Sequence, residues 1–199
     1  MNRENGISLV EVCLALLLVG CLSVLVIPVV ATWIDSARLA AAGGRVTLLF
    51  RQLRYRAIAS AGCRGVLFDR EDDGDWVYRV AADGNDNGIR RAEVADGTDP
   101  LLAGPVSLPA AYGGVRFGIP DTAPVPVLPP GHGTLDNPAD PIRFGSSDLA
   151  SFTPRGTCSS GTVYLLSPRG RMRAIRLYGA TGRIRVFDYL PDRGTWVRR

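Results

Sequence analysis

The sequence predicts an α+β protein: a long N-terminal transmembrane helix packed on a C-terminal antiparallel β-sheet head. Three observations carry that prediction. From Ile7 to Ile34 the only ionisable side chain besides two thiols is Glu11. That run exceeds the roughly 20 apolar residues a helix needs to cross a bilayer. From there to about Ala61, arginines alternate with apolar residues at helical spacing. Beyond Gly62, short β-branched and aromatic runs are punctuated by Gly and Pro, the pattern of strands and turns.

The helix is expected over 7–61, with 7–34 in the membrane and the remainder packed on the head. A carboxylate inside an apolar span is costly, which makes Glu11 a functional residue in search of a partner. Pro28 lacks an N–H and predicts a kink or local loosening. Trp33, Ala37, Ala40, Ala41, Val46, Leu48, Leu49, Leu53 and Ile58 form the apolar face, set against Arg38, Arg45, Arg51, Arg54 and Arg56. Gly43-Gly44 weakens the middle, and Gly62 marks the end. A secretory signal cleaved after Ala31 is the competing reading. Against it stand the length of the apolar core, Glu4 beside Arg3, and the interruption by Glu11. A plain membrane anchor explains the length but leaves Glu11 unexplained.

The head, 62–199, has the size of one domain. Strands are expected at Gly65–Phe68 and Trp76–Ala81. From Ala82 to Pro141 the chain reads as an irregular excursion dense in Pro and Gly, with Val115–Phe117 and Ile142–Phe144 as short strands. Four more follow: Thr162–Leu166, Arg171–Tyr178, Arg183–Leu190 and Thr195–Arg198. In the hairpin around Gly179-Ala180-Thr181-Gly182, pairing Tyr178 with Arg183 sets Leu177 opposite Ile184, Ile175 opposite Val186, and Arg173 opposite Asp188. One face is then apolar with a single charge pair. The other face opposes Arg176 to Arg185, with Arg183 and Tyr178 nearby. Like charges in direct opposition are destabilising, so an anion, an acid or water is expected to compensate. A slip of one residue would mix the faces, so this register is favoured.

All 23 basic residues are arginine. From Ser151 to Arg199 ten arginines face only Asp188 and Asp192, net +8, which leaves the rest of the chain at −4. Such asymmetry points to an anionic partner for the C-terminal part, or to a solvated face whose Arg stems cover apolar surface. Cys13 and Cys21 lie in the apolar run and act as small hydrophobes. Cys63 and Cys158 are the candidate disulfide, which in the chain-entropy model would contribute ~4–5 kcal/mol. Asp83-Gly84-Asn85-Asp86-Asn87-Gly88 matches the first half of a calcium loop, with Asp83, Asn85 and Asn87 as the oxygen ligands. Its second half fails, because Val94 stands where a bidentate Glu belongs and Glu93 is one residue early. A turn of this composition also forms without metal. The only His is His132, and no Ser/His/Asp set, phosphate loop or zinc spacing occurs. The sequence therefore predicts no enzyme and no cofactor beyond candidate calcium.

Gly6, the apolar residue after it, Glu11 five places on, and Pro28 further along the helix resemble the class III signal of type IV pilins and type II secretion pseudopilins. The resemblance implies a leader of residues 1–6, cut after Gly6 by a prepilin peptidase, with methylation at Ile7, where the family more often has Phe or Met. It makes the helix a pilin spine. In a bundle of staggered copies, Glu11 of one subunit would meet the free amine of the next, and such a pair fixes register. Phe152–Gly156, Gly161–Leu165, Gly182-Arg183-Ile184-Arg185 and the stretch from Trp76 through Gly88 are similar to the GspH/FimT branch. That likeness spans most of the chain outside about Asp96–Pro141. It implies a minor pseudopilin or pilin in the inner membrane, its head in the periplasm, meeting other pilins and an inner-membrane assembly platform. Some members of the branch take up DNA through the Gly-Arg-x-Arg segment. The resemblance therefore implicates Arg183 and Arg185, to which the hairpin register adds Arg176.

Overall fold

The computed structural model describes residues 8–72, 74–121, 124–135 and 137–199. Its first element, α1 (Leu9–Ala59), is one continuous helix that runs through Pro28. The first half is apolar on all sides, and every described side chain from Leu9 to Val30 is exposed. It is long and apolar enough to cross a membrane. The second half has a buried stripe of Leu39, Ala42, Val46, Leu49, Phe50, Leu53 and Ala57, the spacing of a helix lying on a core. This stripe is rotated from the expected apolar face: Trp33, Leu48 and Ile58 point outward. The helix also stops without help from Gly62. Ser60 caps it, and Ala61 takes the left-handed conformation at φ 52°.

Gly43 shows why this helix tolerates a residue that weakens helices. A Cβ there would lie 2.5 Å from Cδ of Arg173. The bare backbone lets the Arg173 stem cross α1 on its way to Asp188, with Nε to Oδ1 at 2.6 Å.

The head holds two antiparallel sheets, where the sequence predicted one. In the first, the order is β3 (Leu101–Ser107), β2 (Trp76–Ala82), β1 (Arg64–Arg70), β6 (Leu149–Phe152). In the second it is β10 (Thr195–Arg198), β9 (Arg183–Leu190), β8 (Met172–Tyr178), β7 (Gly161–Leu166), β4 (Arg116–Phe117), with β5 (Ile142–Arg143) also on β7. Residues 82–141 are more regular than expected, containing β3 and the short helices α2 (Arg91–Asp96) and α3 (Leu108–Ala111). Gly104-Pro105 hides β3 in the sequence. As an edge strand it tolerates a proline, and its pairing with β2 slips register around Tyr78–Ala81.

The main core lies between α1 and the two sheets. Phe50 packs on Phe144 and Phe152, with Phe68, Phe117, Leu53 and Ile175 around them. A second core lies on the far side of the second sheet. There the excursion folds back, laying Ile119, Val125, Leu128 and Leu135 on Tyr164, Met172, Ala174 and Phe187. Trp196 locks it by donating from Nε1 to the Pro126 carbonyl at 2.7 Å.

Candidate functional site

Glu11 stands in the first turn of α1, exposed like its apolar neighbours. The positive end of the helix dipole favours a carboxylate at that place. Gly6 and Ile7 lie outside the described residues. Pro28 sits inside the helix, which absorbs it without a break.

The C-terminal hairpin has the expected register: Tyr178 pairs with Arg183, Leu177 with Ile184, Ile175 with Val186, and Arg176 with Arg185. The apolar face meets α1. Its one charge pair, Arg173–Asp188, is joined by Arg199, whose Nε is 2.7 Å from Asp188 Oδ2. Burial alone would push the Asp188 carboxyl up, but hydrogen bonds from Arg173 and Arg199 outweigh it and hold the group below the usual carboxylate range.

On the other face the opposed arginines are separated by different partners. Arg176 donates to the Thr162 hydroxyl at 3.2 Å and to the Pro129 carbonyl at 2.9 Å. Arg185 lies over the Tyr178 ring, 5.3 Å from its centroid, a cation–π contact. Within the chain a carbonyl, a hydroxyl and an aromatic face approach the two arginines, while Arg185 Nε is buried with no hydrogen-bond partner among the described residues. Arg183 is the one of the three that is left exposed. The structure thus splits the trio rather than gathering it.

Arg54, which the sequence offered only as part of a basic helix face, is the residue that ties the motifs together. It donates from Nε to the Gly156 carbonyl at 2.9 Å and from Nη2 to the Thr181 carbonyl at 3.2 Å. Gly182 has φ 60°, and a Cβ there would lie 2.5 Å from both Arg54 Nε and the Gly156 oxygen. The glycine of the Gly-Arg-x-Arg run is therefore required by packing on the helix. Beside it, Arg51, Arg54, Tyr55, Ile58 and Arg183 line a shallow cavity of about 280 Å³. No sequence signal short of knowing that this turn docks on α1 could have singled out Arg54.

Asp83, Asn85 and Asn87 do share a turn, but their groups are engaged with one another. Asp83 accepts from the N–H groups of Asn85 (3.2 Å) and Gly88 (2.8 Å), and Asn85 Oδ1 from Asn87 N–H (3.3 Å). The side-chain amides of Asn85 and Asn87 donate to Glu93 at 3.1 and 3.0 Å. Glu93, one residue early for a calcium ligand, closes the loop as an acceptor. Buried Asp99 braces it from beneath, accepting from the N–H groups of Gly84 and Arg90. Among the described residues no group of three or more His, Cys, Asp or Glu is placed to hold a metal.

Cys63 and Cys158 are free thiols, a correction to the disulfide expected for them. They belong to different apolar clusters. Cys63 packs with Leu67, Ala81, Ile89 and Leu149. Cys158 packs against the core beneath α1, with its Sγ 3.8 Å from the Tyr178 carbonyl. Burial pushes both thiols up, which keeps them in the less reactive protonated form.

Comparison with family models, characterised proteins and solved structures finds no match to this chain.

Proposed function

We propose that this chain is a minor pilin or pseudopilin of a type II secretion or type IV pilus system, a structural subunit that assembles through α1. One observation carries the reading. A single helix serves as the spine of a packed head, then continues as an exposed apolar rod whose only charge among the described residues up to Ile34 is Glu11. Such a rod needs lipid or other helices around it. In lipid it anchors the head, on this reading to the periplasmic face of the inner membrane. In a filament the same surface packs on sister helices, and Glu11 meets the amine freed by cleavage after Gly6. A buried charge without that partner would be costly, so the pair sets the axial stagger.

The test is N-terminal sequencing of membrane-extracted protein together with co-assembly of Glu11→Ala. A mature chain beginning at methylated Ile7, and loss of assembly in the variant with an unchanged head, are expected. A mature N-terminus after Ala31 would falsify the reading.

A second reading, retention of DNA by a minor pilin, is favoured by exposed Arg183 beside Arg51 at the arginine-lined cavity. Arg176 is held by Thr162 and Pro129 and Arg185 is half-buried over Tyr178, so exposed Arg183 carries the larger share of phosphate contact. Such binding is sequence-independent and weakened by salt. A gel-shift assay with Arg183→Ala plus Arg185→Ala decides it: binding that survives the double change, or none at low salt, removes this reading.

A further inference from the structure

A cavity lies where α1 leaves its apolar stretch, between the helix and the β7–β8 and β9–β10 turns. It has a volume of about 1010 Å³. Four arginines, Arg169, Arg171, Arg173 and Arg199, line it against Asp188 and Asp192. Asp188 is already held by Arg173 and Arg199. Arg169 is exposed, with no hydrogen bond or ion pair among the described residues. Arg171 has one side-chain partner, the neutral Ser36 hydroxyl at 2.5 Å. Neither guanidinium has a carboxylate within ion-pair distance among the described residues, and with Asp192 counted the lining still carries two more arginines than acids.

The depth of the cavity points to its occupant. The apolar run ends at Ile34, and the helix wall of the cavity runs from Thr32 to Ala40, from two residues before that end to six beyond it. At about 1.5 Å per residue that spans from roughly 3 Å inside the hydrocarbon edge to about 9 Å beyond it. The headgroup layer of one leaflet is about 5–8 Å thick. Trp33, just before this point, is 74% exposed, as suits an indole at the membrane interface. The wall is rigid at this level, because buried Asp35 accepts from the Ser167 hydroxyl at 2.6 Å, tying α1 to the end of β7.

We infer that this cavity seats the phosphate headgroup of an anionic phospholipid, with Arg169 and Arg171 as its ligands. Forked guanidinium groups suit phosphate oxygens, and basic groups at the membrane surface are drawn to anionic lipid. The lipid would set the tilt and height of the head. The inference rests on the membrane-anchored reading of α1.

The test uses the full chain in neutral detergent, offered phosphatidylglycerol and phosphatidylcholine of equal acyl composition, with retained lipid counted by native mass spectrometry. Wild type is expected to prefer phosphatidylglycerol by about fivefold, and Arg169→Gln plus Arg171→Gln to bring the ratio near one. Arg169→Gln alone, at an exposed and unpaired side chain, should lower the preference with the fold intact, and it decides the matter if the double variant misfolds. Arg56→Gln, far along α1, should change nothing. Parity in wild type overturns the inference. Equal loss in Arg56→Gln overturns it too, as general charge attraction. Displacement by inorganic phosphate overturns the lipid assignment in favour of a free phosphate site. Failure of the anchor itself reads differently: the chain would then be extracted from vesicles by alkaline carbonate.

Discussion

The two halves of α1 share one backbone conformation and opposite surroundings. From Leu9 to Val30 the described side chains are exposed, while from Asp35 to Ala59 a narrow stripe is buried to a few per cent. Composition differs, the first half rich in Leu and Val with Ala15 alone, the second rich in Ala and Leu with Val46 alone, yet both are helical. What also differs is periodicity. An apolar surface on all sides admits any neighbour, lipid or helix. An apolar stripe backed by arginines admits only one orientation on a head. The first half leaves its apolar surface uncovered, and the second commits its stripe to the head.

Matched substitutions would break that comparison most directly. Leu53→Ala in the buried stripe should cost about 2–5 kcal/mol in denaturant unfolding of the head. Leu17→Ala in the rod should leave head unfolding unchanged. Equal effects would mean that the rod, too, is part of the folded core.

Acid offers the next largest effect. The Asp188 pKa is lowered in the folded state, so its contribution is complete above the unfolded carboxylate value of about 3.9 and fades as pH falls through the lower folded one. Head stability should therefore fall below about pH 4, and Asp188→Asn should flatten that limb while lowering stability at neutral pH. A parallel acid limb in the variant would mean that Asp188 does not govern it.

The adjacent glycines sharpen the contrast within one turn. Gly43→Ala places a methyl against Arg173 and should destabilise by about 1–3 kcal/mol. Gly44 has nothing within 4 Å of an added Cβ, so Gly44→Ala should stabilise by roughly 0.5–1 kcal/mol through helix propensity. Thermal melts of the two variants should move in opposite directions. Of similar size is Trp196→Phe, which removes the bond to the Pro126 carbonyl and should cost about 1 kcal/mol. Hydrogen exchange in 124–135 should rise with it.

The hairpin was legible to the residue because alternation and a tight turn leave only one register that keeps Leu177, Ile175, Ile184 and Val186 together. β6 was not, for Leu-Ala-Ser-Phe is too short to show a period. The excursion was misjudged for another reason. Its Val125, Leu128 and Leu135 are isolated among prolines, and nothing local says that they share a surface until the far face of β7–β8 is there to receive them. Opposed Arg176 and Arg185 imply compensation by an anion, an acid or water, but the contacts they make in the chain, to the Pro129 carbonyl and the Tyr178 ring, are ones that charge counting does not see.

By itself the sequence determined the long helix, its apolar first half with one carboxylate, and the β hairpin at its end, because these follow from periods and compositions that neighbouring residues set among themselves. Only the tertiary structure decided that the strands divide into two sheets, that Gly43 and Gly182 are spaces for Arg173 and Arg54, and that four arginines meet where the helix leaves its apolar run. Those outcomes depend on contacts between residues far apart in the chain, and the physical reason is shape: which side chain fits beside which is fixed only when the surfaces close.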